Sequence, residues 1–193
     1  MEHLNIRNIH QFDCEDLYKW VVFNAPNNSH FVEIGIAEGK SSAFLGVEII
    51  NSGKKIRLDC IDCWDMKTNP NIDYTETTKN NLEPILDKLD LRIIQNYSKI
   101  ESKKYQNKSL DFVFIDGDHS YNGVTNDIID WLPKLKLTGV IAGHDYNPIE
   151  YPDNVIKAVD DFFGKEIVNV NKNSWYVFVK DVDIKKFEKN SII

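Results

Sequence analysis

The sequence predicts an α/β protein with a doubly wound, mainly parallel sheet whose C-terminal end is antiparallel. Three observations predict this fold class. Short apolar segments alternate along the chain with longer amphipathic segments, which is the pattern of strands and their crossover helices. A glycine-containing loop joins the first predicted strand to the helix that follows it. The last two apolar segments are joined through residues 171–173, a connection of hairpin length.

The predicted strands are short apolar segments bounded by turn-forming or ionisable residues. They cover residues 31–34, 56–61, 91–95, 110–115, 140–142, 167–170 and 175–179. Strands that alternate with helices over short connections imply a parallel sheet covered on both faces. The same short connections imply right-handed crossovers.

The predicted helices fall before and between these strands. Ser120 has the side chain of an N-cap, so we expect a helix to begin directly after it. Pro84 interrupts another amphipathic segment and predicts a break there. The predicted helices cover residues 14–23, 41–50, 75–89, 121–135 and 155–163, with an irregular segment at 62–73.

Length and composition indicate one soluble globular domain. The chain has 193 residues, of which 42% are hydrophobic and 27% charged. We predict a single domain over 1–193, with 1–30 as an N-terminal helical extension. No apolar segment has membrane-spanning length, and the N-terminus lacks the features of a signal peptide. The three cysteines are too few for a disulfide framework, so we expect a reducing, cytoplasmic setting.

The charge of the chain restricts its partners. The formal net charge is −7, whereas nucleic-acid binding usually depends on a basic surface. We therefore expect a small-molecule or glycan ligand, and neither a nucleic acid nor a membrane as partner.

Two predicted strands end in ionisable side chains. The fourth strand is followed by Asp116, Asp118 and His119, and the fifth by His144 and Asp145. Ligands of open α/β sheets bind at the carboxyl ends of the strands, so these groups are expected at one edge. Two converging carboxylates repel unless a cation or a proton joins them. The pattern predicts a metal site or an acid/base site.

The loop after the first strand admits three kinds of nucleotide site. Gly39, Lys40 and Ser41 match the end of a phosphate-binding P-loop. However, Gly35 and Gly39 are separated by three residues where that loop has four, and Glu38 would face the phosphates. The G-x-G-x-x-G fingerprint of NAD sites is absent. In the third kind, Gly35 permits a tight turn and Gly39 lets a ligand approach the backbone closely.

This third kind of site holds a nucleoside without a pyrophosphate. Glu33 would then lie near an ammonium group of the ligand. Asp62, at the end of the second predicted strand, would accept hydrogen bonds from ribose hydroxyls, as the equivalent acid does in dinucleotide folds.

Four motifs together carry a family resemblance: Glu33-x-Gly35-x-x-x-Gly39, Asp62-Cys63-Trp64, DGDHSY at 116–121 and GHDY at 143–146. With them, the chain resembles the class I S-adenosylmethionine-dependent methyltransferases, in a small bacterial and phage-type branch. That branch is related to macrocin-type sugar O-methyltransferases and to cephalosporin-hydroxylase-like proteins. The resemblance covers residues 31–146 and implies a seven-stranded, Rossmann-like sheet with the methyltransferase strand order and an antiparallel C-terminal strand.

The resemblance also implies roles for single residues. Glu33, Gly35 and Gly39 would line the methionine part of S-adenosylmethionine. Asp62 would hold the ribose, and Ser98 would lie near the adenine. The remaining predicted cofactor contacts are Ser41, Trp64 and Asp116.

Metal-dependent O-methyltransferases related to this family bind their metal through an acid after strand four and a pair of residues after strand five. Carried over, the ligands are Asp116, His144 and Asp145. His144 replaces an oxygen ligand of that pair, so manganese or iron competes with magnesium, and whether a metal is bound stays open. The predicted catalytic residues are Asp116, His119 and His144, with either histidine as general base.

We therefore predict an S-adenosylmethionine-dependent methyltransferase that acts on a hydroxyl of a sugar, a glycan or a small metabolite. Three alternatives stay open. One is a P-loop-like nucleotide hydrolase that depends on Lys40. Another is a metal-dependent hydroxylase that uses His119, His144 and one acid as a facial triad. The last is a non-catalytic cofactor-binding protein. The oligomeric state, a dimer included, is also open.

Overall fold

A seven-stranded sheet lies between two layers of helices in the computed structural model, which describes residues 13–65, 73–149 and 152–183. The order of the strands in the sheet is β3-β2-β1-β4-β5-β7-β6. The strands are β1 (Ser29–Ile34), β2 (Ile56–Asp62), β3 (Leu91–Gln95), β4 (Leu110–Ile115), β5 (Leu135–Gly143), β6 (Asn169–Asn171) and β7 (Ser174–Phe178).

Strand pairing confirms the predicted fold class. β1 pairs in parallel with β2 and β4, and β4 pairs in parallel with β5. β7 inserts antiparallel beside β5 and pairs antiparallel with β6, so the C-terminal end of the sheet reverses direction as predicted. The carboxyl ends of β1, β2, β4 and β5 therefore lie at one edge of the sheet.

Helices cover both faces of the sheet. Alternate side chains of β4 divide between the two cores: Phe112 and Phe114 pack on the side of α1 and α2, while Val113 and Ile115 pack on the side of α5 and α6. The helices are α1 (Glu15–Asn24), α2 (Lys40–Ser52), α3 (Tyr74–Leu82), α4 (Ser98–Glu101), α5 (Tyr121–Trp131) and α6 (Lys157–Phe163).

Most predicted boundaries agree with the structure, and the differences have local causes. The helix predicted over 75–89 ends at Leu82, and a 3-10 turn that contains Pro84 follows it. β5 begins at Leu135 rather than Val140, because Leu135 already pairs with Leu110 of β4, and the register shifts before Val140 pairs with Phe112. The helix predicted over 155–163 begins as a π-helical turn, Pro152–Ile156, and becomes α-helical at Lys157. The sequence analysis missed α4, which has only four residues.

Ser120 caps α5 as predicted. Its hydroxyl oxygen accepts a hydrogen bond of 3.0 Å from the backbone N–H of Gly123. Asp118, two residues earlier, accepts from the backbone N–H of Ser120 at 2.9 Å, so it fixes the turn that leads into the helix.

Within the described parts of the chain, no helix combines the length and the apolar character that crossing a membrane would require. The predicted extension over 1–30 is described only from Asp13 onward, where α1 lies, and its role as an extension stays a prediction. Part of the irregular segment predicted at 62–73 also lies outside the described residues.

The end of β1 passes very close to the end of β4. Gly35 has φ +80°, and a Cβ added to it would lie 2.0 Å from the carbonyl oxygen of Asp116. The backbone N–H of Asp116 donates to the carbonyl of Ile34 at 2.8 Å, which closes this contact. Only glycine fits here, for both reasons.

We predict that Gly35→Ala destabilises the protein much more than Gly53→Ala. Both glycines have positive φ, but no heavy atom of the described residues lies within 4 Å of a Cβ added at Gly53. Gly53→Ala should cost about 1 kcal/mol for the left-handed backbone alone. Gly35→Ala should cost about 1–3 kcal/mol more for the backbone overlap. Urea unfolding of both variants measures the difference, and equal losses would contradict the close approach.

Candidate active site

The loop from β1 to α2 is built around the carboxylate of Asp62. Its Oδ2 accepts from the backbone N–H groups of Ile36 (2.9 Å) and Ala37 (2.8 Å), and its Oδ1 accepts from the N–H of Trp64 (2.7 Å). Three of about four lone-pair positions of the carboxylate are thus occupied. One position on Oδ1 is left for a ligand hydroxyl, so the prediction that Asp62 contacts a ribose is compatible with this arrangement and stays a prediction.

Trp64 and α3 hold the same loop from the other side. The carbonyl of Ala37 accepts from the indole N–H of Trp64 (2.9 Å) and from the hydroxyl of Thr78 (2.7 Å). A Cβ added to Gly39, which has φ +75°, would lie 3.0 Å from Thr78 Cγ2. Gly39 therefore gives room to α3, and the predicted contact of Gly39 with a ligand stays a prediction. Trp64 is buried and orders the loop.

Glu33 lies beneath this loop rather than in it. Its carboxylate is fully buried and accepts from the hydroxyls of Tyr18 (2.9 Å), Ser41 (2.5 Å) and Ser42 (2.6 Å). Burial raises the pKa of Glu33 to about 7, against the opposing effect of these hydrogen bonds. Glu33 and Ser41 thus join β1 to α1 and α2, and the structure gives Glu33 no exposed surface for the predicted ligand contact.

Lys40 does not have the environment of a P-loop lysine. Its Nζ lies 2.8 Å from Oε2 of Glu38, within the loop itself. A lysine that binds phosphates would have to leave this ion pair, and Glu38 would stay beside the phosphates. The environment of Lys40 therefore favours the nucleoside interpretation of the loop over the P-loop interpretation.

Ser98 lies at the start of α4 in a buried hydrogen-bonded group. Its hydroxyl donates to Oδ1 of Asp127 at 2.5 Å and accepts from the indole N–H of Trp131 at 2.7 Å. Burial raises the pKa of Asp127 to about 6. The hydroxyl of Ser98 has thus used its only proton, so a contact of Ser98 with adenine would have to use the remaining lone pair of the hydroxyl or the backbone.

The two acid and histidine motifs meet at the carboxyl ends of β4 and β5, as predicted. Ligand atoms of Asp116, His144 and Asp145 all lie within 4.8 Å of one another. Nε2 of His119 lies 3.3 Å from Oδ1 of Asp116 and 3.1 Å from Oδ2 of Asp145. The side chains of His119 and Asp116 are 33% and 27% exposed, so a ligand can reach them.

His144 extends this cluster to the N-terminal segment. Its Nδ1 lies 3.2 Å from Oδ1 of Asp145, and its Nε2 lies 2.7 Å from Oδ1 of Asp13. The amide of Asn173, in the turn between β6 and β7, donates to Oδ2 of Asp13 at 2.7 Å. Carboxylates and imidazoles therefore alternate in one chain of contacts from Asp13 to Asp116.

The alternation of charge shifts the pKa values of the cluster. Burial lowers the pKa of His144, but its hydrogen bonds to Asp145 and Asp13 and the charge of Asp116 outweigh burial and raise the pKa to about 9. The hydrogen bond to Asp116 raises the pKa of His119. Burial raises the pKa of Asp116, whereas burial of Asp145 is outweighed by its histidine neighbours, which lower its pKa.

Gly143 lets β7 pack against the start of this cluster. A Cβ on Gly143 would lie 2.6 Å from Nε1 of the fully buried Trp175 and 2.6 Å from the carbonyl oxygen of Ile115. Since His144 follows directly and donates its backbone N–H to the same carbonyl at 3.1 Å, this packing fixes where His144 leaves the sheet.

A family model for methyltransferase domains matches residues 32–146. This match spans more than half of the 193 residues. The chain belongs to this methyltransferase domain family. The matched range contains the glycine loop, Asp62, Ser98 and both acid and histidine motifs. No curated protein sequence matches this chain.

Solved structures of methyltransferases share the fold. A TDP-rhamnose 3'-O-methyltransferase of calicheamicin biosynthesis has a TM-score of 0.59 and 13% identity, and the match covers 91% of this chain and 82% of that chain. The O-methyltransferase NovP has a TM-score of 0.58 and 15% identity, covering 86% and 79%. An rRNA methylase from Streptococcus thermophilus has a TM-score of 0.59 and 13% identity, covering 87% and 95%.

Several residues of the site were not found from the sequence. Asp13, Tyr18 and Asn173 show no motif, and each reaches the site from a distant part of the chain. Asp127 could have been found from the sequence, because a carboxylate on the buried, otherwise apolar face of a helix needs a hydrogen-bonding partner.

We predict that the stability of the wild-type methyltransferase falls as the pH rises from 4.5 to about 7, and that Glu33→Gln removes this fall. A carboxyl whose pKa is 4.5 when unfolded and about 7 when folded binds its proton more tightly in the folded state. The free energy of unfolding should therefore decrease as pH rises through this window, by roughly a few kcal/mol. Glutamine keeps an acceptor for the hydroxyls and does not titrate.

Urea unfolding between these pH values tests this prediction. The exposed Glu83 provides the control, since Glu83→Gln should leave the pH profile of the wild type unchanged. A Glu33→Gln profile parallel to that of the wild type would show that Glu33 does not bind the proton.

Proposed function

We propose that this protein is an S-adenosylmethionine-dependent O-methyltransferase of the branch related to macrocin-type sugar methyltransferases. Its acceptor would be a hydroxyl of a sugar, a glycan or a small metabolite. One observation carries the proposal: the loop fixed by Asp62 packs, at Gly35, directly against the backbone of Asp116. A donor held by the loop and an acceptor held by the acid and histidine cluster would be neighbours.

The nature of the loop supports a nucleoside donor without a pyrophosphate. Glu38 lies in the loop and Lys40 is paired with it, which is unfavourable for phosphates. Asp62 keeps one acceptor position at the end of β2, where acids of related folds hold a ribose. S-adenosylmethionine supplies a methyl group activated on a sulfonium, and the protein has to align this group with an acceptor and remove the acceptor proton.

His119 is the residue best placed to take that proton. Its Nε2 lies between Asp116 and Asp145, and its side chain is partly exposed. In the proposed step the acceptor oxygen bonds to the methyl carbon, and the carbon–sulfur bond breaks with its electron pair left on sulfur. The hydroxyl proton passes to neutral His119, and the two flanking carboxylates stabilise the imidazolium that forms.

The donor set also fits a divalent cation. Asp116, Asp145 and His144 offer two carboxylates and one imidazole within 4.8 Å of one another. This combination suits manganese or iron better than magnesium, which prefers oxygen ligands. A bound divalent metal would lower the pKa of an acceptor hydroxyl and orient it.

Acceptors other than small hydroxylated molecules are less favoured. One fold neighbour is an rRNA methylase, but this chain carries a net charge of −7, and RNA binding relies on cationic side chains. The contacts of His119 argue against the hydroxylase alternative. His119 forms ion pairs with Asp116 and Asp145, so the cluster that could hold a metal consists of one histidine and two acids. A facial triad has two histidines and one acid.

Calorimetric titration with S-adenosylhomocysteine tests the proposed cofactor. We expect the wild type to bind it and Asp62→Ala to bind at least about tenfold more weakly, because a charge-assisted hydrogen bond is lost and the loop is released. Asp87→Ala, an exposed carboxylate outside the site, is the matched control and should bind as the wild type does. A wild type that binds ATP and not S-adenosylhomocysteine would overturn the proposal in favour of the nucleotide hydrolase.

A further inference from the structure

The environment of His144 contains a partner that the family motifs do not include. Both ring nitrogens of His144 are engaged, Nδ1 with Asp145 and Nε2 with Asp13, and the contact with Asp13 is the shorter, at 2.7 Å against 3.2 Å. Asp13 lies 131 positions away in the sequence, directly before α1.

Asp13 is itself held in place. The side-chain amide of Asn173 donates to Oδ2 of Asp13 at 2.7 Å, which leaves Oδ1 directed to His144. The carbonyl of Asn173 accepts from the backbone N–H of Tyr146 at 2.8 Å, so the β6–β7 turn is tied to the segment after His144. The carboxylate of Asp13 is thus fixed by an element independent of α1.

Both contacts of His144 end on carboxylates, which can only accept, so each ring nitrogen can carry a proton when no metal is bound. The contact of Nε2 with Asp13 is the shorter and holds its proton more firmly. A divalent metal in the cluster would take the place of the proton between Nδ1 and Asp145, while Asp13 keeps the proton on Nε2. Histidines that bind metals typically donate their second N–H to a carboxylate in this manner.

We propose that Asp13 is a positioning residue that holds His144 in the tautomer with a proton on Nε2, so that Nδ1 serves as a metal ligand. Asn173 in turn holds Asp13. This inference rests on the proposed function, because it concerns the metal at the acceptor side of that site. The start of α1 and the β6–β7 turn would then hold a ligand of the metal site in place.

An asparagine at this position cannot satisfy both contacts. The carboxylate of Asp13 accepts two hydrogen bonds, from Asn173 and from His144. An amide has one acceptor atom and one donor group, so one of the two contacts must be lost or reversed. A donor facing Nε2 would favour the tautomer with the proton on Nδ1, which cannot bind a metal through that nitrogen.

Titration of Mn²⁺ into the metal-free full chain tests the inference. The variants are Asp13→Asn and Asn173→Ala, and the control is Asp16→Asn, because Asp16 is exposed and pairs only at 3.5 Å with Lys172 among the described residues. We expect Asp13→Asn to weaken Mn²⁺ binding about 10–100-fold, the usual effect of removing such a partner. Asn173→Ala should weaken it less, and Asp16→Asn should match the wild type.

Titration of S-adenosylhomocysteine and a thermal melt of the same samples separate the outcomes. Unchanged cofactor affinity and melting temperature with weakened Mn²⁺ binding support a positioning role, because a merely structural role would lower the melting temperature and leave metal affinity alone. Wild-type binding of Mn²⁺ by Asp13→Asn overturns the inference. So does a wild type that binds S-adenosylhomocysteine but no Mn²⁺, whereas failure to bind S-adenosylhomocysteine overturns the proposed function itself.

Discussion

The contact between the backbones of Gly35 and Asp116 is the constraint on which the site depends. β1 and β4 are neighbours in the sheet, and their ends approach so closely that a side chain at Gly35 would overlap the carbonyl of Asp116. The loop that starts at Gly35 is fixed by Asp62, and the turn that starts at Asp116 carries His119. One close contact therefore sets the distance between the two halves of the site.

The carboxylate charges around His119 and His144 determine the protonation of these histidines on the acceptor side of the site. Three carboxylates, Asp13, Asp116 and Asp145, converge through two histidines. Protons on the histidines or a cation must offset this negative charge, which is why the pKa of His144 rises to about 9. A metal that takes the place of those protons would also leave His119 neutral at a lower pH. The same balance that stabilises the cluster thus determines when His119 can accept a proton.

The sequence predicted the parts of the site that are local. The acids after β4 and β5 follow apolar strands directly, and the Ser120 cap is a short-range pattern, so Asp116, His119, His144 and Asp145 could be placed at one edge. The roles of Glu33 and Gly39 could not be judged in this way. Whether a carboxylate faces a ligand or lies under the loop depends on the packing of α1 and α3.

The contacts of Asp13, Tyr18 and Asn173 are long-range and have no sequence spacing that could reveal them. Asp13 reaches His144 only because the antiparallel β7 brings the turn with Asn173 to the same edge as α1. The sheet order was implied by the family motifs, but the side chains that the order brings together depend on the tertiary structure.

The most direct test of the account is to follow a ¹³C-labelled methyl group from S-adenosylmethionine by NMR, with a panel of sugars and small hydroxylated metabolites as acceptors. The account predicts that wild-type protein gives a methyl ether, with the label on oxygen. It also predicts that His119→Gln loses turnover by about 10²–10⁴-fold while it still binds S-adenosylhomocysteine. A label found on nitrogen or carbon, or a His119→Gln variant as active as the wild type, would contradict it.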